Sequence, residues 1–107
     1  MIYIASPYTH PNPAIRAERF IAVREYTHRL MQSGQIVFSP IVYGHQFSEI
    51  FAMPFEAEPW EEFNHGILKI CHKVHVLMLN GFLESKGIKA EVDYALSLNK
   101  PVQYVTE

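Results

Sequence analysis

Apolar positions in this chain cluster into short runs, separated by longer segments in which they recur at helical spacing. Residues 1–5 are apolar up to the turn-forming Ser6-Pro7 and predict a buried first strand. Asn12-Pro13 is a helix start, because Asn caps free N–H groups and Pro fits the first helical position. The helix that follows carries apolar Phe20, Val23, Leu30 and Met31, places Glu25 and Arg29 as an i,i+4 pair on its wet side, and ends at Ser33-Gly34.

Residues 35–38 predict a second strand, stopped by Ser39-Pro40, and a strand-helix-strand of this length crosses over into a parallel pair. Residues 41–59, rich in Pro and aromatics, break the periodicity and read as a loop with a short helix; loops of this length inside a compact domain are usually functional. Residues 60–71 are helical by spacing, with Trp60, Phe63, Ile67, Leu68 and Cys71 on one side. A third strand over 73–79, a loop over 80–87, a helix from Ile88 and a last strand over 102–105 complete the alternation. The expected fold is α/β: a three-layer α/β/α sandwich of flavodoxin or Rossmann type, with a four- or five-stranded parallel sheet, as a single domain over 1–107.

Composition narrows the function. The chain has 107 residues, 49% of them hydrophobic, and a net charge of −2, which suits one core and leaves no room for a second. Basic residues are spread thinly, so neither polymeric nucleic acid nor a membrane surface is an expected partner, and an anionic ligand would be small. The lone Cys71 allows no internal disulfide and, with no signal-like or membrane-spanning run, points to a reducing cytoplasm. His72 and His75 lie beside Cys71, but a strand sends them to opposite faces and no CxxC or HExxH accompanies them, so no metal is expected. The loop after the first strand lacks the glycines of a Walker A or dinucleotide fingerprint, and no cofactor is expected.

The pattern Ser85-x-Gly87-x3-Glu91 at the start of the last helix is the sharpest candidate for chemistry. A helix opening there directs free N–H groups and its positive dipole end toward the strand ends, which suits an anion and helps keep Glu91 ionised as a nucleophile. Ser6 and Tyr8, at the C-terminal end of the first strand, are candidate pocket residues, as is His45. Phe47 or Phe51 could stack on a base, whereas Arg16 and Arg19 read as solvated on the exposed side of the first helix.

Residues 2–8 (IYIASPY), 37–41 (VFSPI), 76–79 (VLML) and 85–91 (SKGIKAE), with Lys100-Pro101-Val102, resemble the nucleoside 2-deoxyribosyltransferase superfamily and its DUF1937-type branch, across nearly the whole chain. The resemblance implies that Glu91 is the nucleophile attacking the anomeric carbon of a deoxynucleoside or deoxynucleotide. Ser85 stands where 2′-deoxynucleoside 5′-monophosphate N-hydrolases carry a serine that helps bind the 5′-phosphate, so a nucleotide is favoured over a nucleoside. The superfamily also places a tyrosine near the nucleophile, a role open to Tyr3 or Tyr8, and closes its sites across a two-fold interface, which implies a homodimer or higher homo-oligomer. Where relatives usually carry Asp, this chain has Asn64, which keeps a hydrogen bond but cannot titrate. Either turnover is altered, or Glu61, Glu62 or His65 supplies the acid; a nucleotide-binding protein without catalysis is the alternative.

Overall fold

Each connection between successive strands contains a helix, so the strands return in the same direction and pair in parallel. The computed structural model describes residues 1–54, 56 and 58–107. In chain order it contains β1 (Ile2–Ala5), α1 (Pro13–Gln32), β2 (Val37–Phe38), α2 (Pro40–Phe51), α3 (Glu61–Ile70), β3 (Lys73–Leu77), α4 (Lys86–Ser97) and β4 (Val102–Val105), with 3₁₀ turns at Glu58–Trp60 and Phe82–Glu84. The sheet order is β2-β1-β3-β4.

Strand alternation divides the core into two layers around the sheet. Tyr3, Ala5, Val74 and Val76 pack with Leu68 and Cys71 beside α3 and with Ile88 and Ala95 of α4. Ile2, Ile4 and Leu77 pack on the other face against Val23 and Tyr26 of α1. This is the expected three-layer sandwich with four strands.

The capping rules hold at α1, where the Asn12 side chain accepts from the Ala14 N–H at 2.9 Å and Pro13 opens the helix. Ion pairs among the described residues do not include Glu25–Arg29; the Arg29 guanidinium lies over the Tyr26 ring, 5.8 Å from its centroid.

Residues 41–59 depart most from expectation, since α2 runs for 12 residues there. The Ser39-Pro40 pair that stops β2 also starts α2: Ser39 Oγ accepts from the Val42 N–H at 3.1 Å and Pro40 takes the first turn. Gly44 is buried in α2 beside Trp60, and a Cβ there would meet the ring at 3.6 Å, an ordinary van der Waals contact. Residues 55 and 57 of this stretch lie outside the described residues. β2 and β3 are shorter than the apolar runs that mark them, ending up as Val37–Phe38 and Lys73–Leu77.

β1 and β3 are adjacent, with Ala5 in register with Val76, so the loops leaving their C-terminal ends emerge side by side. The chain turns outward in opposite senses at this point, to β2 and to β4, which is where open parallel sheets form ligand crevices. Among the described residues no helix is long and apolar enough to cross a membrane.

Candidate functional site

A cavity of about 730 Å³ opens at this junction, walled by the loop after β1, α2, the start of α3 and the first turns of α4. Ser6, Tyr8, His45 and Asn64 line it from three of these elements, and Ser85, Gly87 and Glu91 from the fourth. Tyr3, the remaining candidate, lies beneath the wall: it is fully buried in β1 and donates its phenolic O–H to Glu91 Oε2.

Glu91 is the sixth residue of α4 and only 8% exposed. Burial pushes its carboxyl up to about 8, with the Tyr3 hydrogen bond pulling the other way. This corrects the expectation that the helix dipole keeps Glu91 ionised. The dipole's influence falls off within the first turn, whereas Glu91 sits past it and has lost most of its water. Burial, followed by the charge of Glu91, drives the Tyr3 phenol far above its ordinary value, so Tyr3 remains a hydrogen-bond donor. Tyr3 therefore serves both as a core strand residue and as the partner of the carboxylate.

Ser85 caps α4, its Oγ accepting from the Ile88 N–H at 3.2 Å. The hydroxyl hydrogen stays available to an anion. The Lys89 N–H is taken by the Ser85 carbonyl at 3.1 Å, while the helix itself offers no acceptor to the N–H groups of Lys86 and Gly87. The Ser85 hydroxyl and the first backbone N–H groups of α4 thus lie at one end of the cavity.

Tyr8 pairs with His45, its hydroxyl 2.6 Å from Nδ1. His45 is stacked on Phe20 with ring centroids 4.0 Å apart, and burial holds it below the ordinary histidine range as a neutral imidazole. Burial likewise raises the Tyr8 phenol, with Glu49 adding to the effect. Of the two tyrosines, Tyr3 contacts Glu91 and Tyr8 contacts His45. Ser6 Oγ and Asn64 Oδ1 are buried in the cavity wall without a hydrogen-bond partner, and such groups are where a ligand completes the bonding.

Arg19 is not solvated as expected: its half-buried side chain crosses between the two loops that frame the cavity. Its Nη1 donates to the Thr9 carbonyl at 3.0 Å and its Nη2 to the Asn80 carbonyl at 3.2 Å. Gly81 admits it: φ there is +93°, and a Cβ would stand 2.6 Å from Nη2. Arg16 similarly donates to the His10 carbonyl at 2.6 Å. Both arginines are half-buried and share the face of α1 that carries Val23 and Tyr26, which corrects the expectation that they stand on its exposed side. Trp60 lines the cavity and donates Nε1–H to the Pro54 carbonyl at 2.8 Å, whereas Phe47 and Phe51 stack on each other outside the lining.

The fold is an open parallel α/β domain, and it places a buried carboxyl at the switch point of its sheet, where sheets of this kind form ligand crevices. The chain is a member of the DUF1937 family, described as a domain of unknown function, whose model matches residues 1–107. No curated protein matches it.

Proposed function

We propose that this protein cleaves or transfers the N-glycosidic bond of a 2′-deoxyribonucleoside 5′-monophosphate or related nucleoside, with Glu91 as the nucleophile. The observation that carries the reading is the buried Tyr3–Glu91 pair at the wall of a cavity of about 730 Å³, a size that accepts a nucleotide. The resemblance of residues 85–91 to the nucleophile helix of the deoxyribosyltransferases supports it.

Breaking the bond builds positive charge on the sugar, and a carboxylate held against the ring stabilises or traps it. Tyr3 holds Oε2, and Oε1 is then the oxygen that attacks the anomeric carbon in this reading. With a carboxyl titrating at about 8, roughly one-tenth of the free protein carries ionised Glu91 at pH 7. An ionised Glu91 interacts more strongly with the cationic transition state than with the neutral sugar, which is the direction catalysis requires. The Ser85 hydroxyl and the Lys86 and Gly87 N–H groups hold the 5′-phosphate.

A second reading, nucleotide binding without turnover, draws on the largely protonated Glu91 and on Asn64 in place of an acid. Incubation with the 2′-deoxyribonucleoside 5′-monophosphates, following free base by chromatography, separates the two: base accumulates under the first, and saturable binding without base under the second.

A further inference from the structure

Departure of a nucleobase is faster when its nitrogen receives a proton, and Asn64 has none to give. Three histidines line the cavity: His10, His45 and His65. His10 Nδ1 accepts from the Asn12 N–H at 3.0 Å, and so has no proton on that atom. His45 is engaged with Tyr8 through Nδ1 and is kept neutral by burial.

His65 differs from both. Its Nε2 is buried without a hydrogen-bond partner, and Glu61 Oε1 lies 3.8 Å away, beyond hydrogen-bond reach but close enough to act as a countercharge. The imidazole stacks on Tyr94 with centroids 4.1 Å apart and planes 6° from parallel. Tyr94 follows Glu91 by three residues on α4, so the helix that presents the carboxyl also fixes the imidazole. His65 is next to Asn64 on α3, one turn after Glu61.

We propose that His65 is the general acid of this site, with Glu61 as its countercharge and Tyr94 orienting its ring; the inference rests on the glycosidic reading of Glu91. In the first step the bond from C1′ to the base nitrogen breaks, and its electron pair goes to that nitrogen, which takes the proton of the His65 imidazolium. The Glu91 carboxylate forms a bond to C1′. Water then adds to C1′ and gives its proton to His65, while the C1′–O bond to Glu91 breaks and returns its electron pair to the carboxylate. The sum is nucleotide plus water giving free base and 2-deoxyribose 5-phosphate, with both residues restored.

The test compares two leaving groups on the full chain. One probe is the set of 2′-deoxyribonucleoside 5′-monophosphates; the other is 4-nitrophenyl 2-deoxyribofuranoside 5-phosphate, whose nitrophenolate departs without a proton. His65→Gln is expected to slow base release about 100-fold or more while nitrophenolate release stays within about threefold. Unchanged base release, or an equal fall on both probes, would overturn the role of His65. Glu61→Gln, at an exposed position, is expected to repeat the asymmetry at smaller size, and an equal response on both probes would count against the assignment. Glu91→Gln should suppress release from both probes; if it suppresses neither, the glycosidic reading of Glu91 is what fails.

Discussion

The Tyr3 hydroxyl donates to Glu91 Oε2 across a separation of 88 residues in sequence. The bond links the first strand to the last helix and leaves a carboxyl at the cavity wall with a single protein partner on that oxygen. Its consequences for acidity and for stability can be measured separately.

Removing the donor isolates its effect on the carboxyl. The Tyr3 hydrogen bond lowers the Glu91 pKa against the larger effect of burial, so Tyr3→Phe is expected to move it above about 8. Followed against pH by the carboxylate infrared band of Glu91, which reads this group alone, the midpoint should move upward. The rate at neutral pH should fall about tenfold for every pH unit by which the midpoint rises. An unchanged midpoint would show that Tyr3 does not tune the carboxyl.

The same raised value predicts a pH-dependent stability. Glu91 titrates at about 8 folded, against 4.5 for the free side chain, so between these values the folded protein holds a proton that the unfolded chain releases. The stability this contributes is fully present below about 4.5 and is lost as pH rises through about 8. Thermal melts of the wild type should therefore fall relative to Glu91→Gln by several degrees, on the order of a few kcal/mol, between pH 5 and pH 8. Parallel curves for the two proteins would contradict the burial of a titrating carboxyl.

Ser85 has two roles that one substitution can separate. Asp caps a helix as well as Ser does, so Ser85→Asp should preserve the fold while placing a negative charge where the phosphate is proposed to sit. Calorimetry is expected to show the wild type preferring monophosphates to nucleosides, and Ser85→Asp reversing that order. A variant that keeps the phosphate preference would move the phosphate elsewhere.

Much of the fold is legible in the sequence because local rules agree with tertiary ones. Asn12-Pro13, Ser85 and the short apolar strands combine capping, backbone geometry and burial in one reading. The helix α2 is hidden because Ser39-Pro40 is ambiguous between strand stop and helix start, and because Gly44 is a poor helix residue. The bridging role of Arg19 is hidden because helical spacing, which aligns it with Val23 and Tyr26, does not report the carbonyls of distant loops that face it. The acidity of Glu91 escapes the sequence for a related reason: its position in a helix is local, while its burial depends on β1 and the packed core.

A homodimer is expected from the apolar surface beside the cavity. Ile50 and Phe51 are 69% and 67% exposed, on the same helix as Tyr43, which stacks on Phe63 at 5.4 Å. Surface of this kind is usually covered by a partner. Light scattering at micromolar concentration should give twice the mass of the chain, and Phe51→Glu should return it to one; a fully active monomer would contradict a shared interface.

The most direct measurement is the rate of free-base release from 2′-deoxyribonucleoside 5′-monophosphates by the wild type and by Glu91→Gln, with nucleotide binding measured on both. The account predicts base release that falls by about three powers of ten or more in the variant while binding persists, as for an interaction formed mainly in the transition state. Equal release by the two proteins would contradict it.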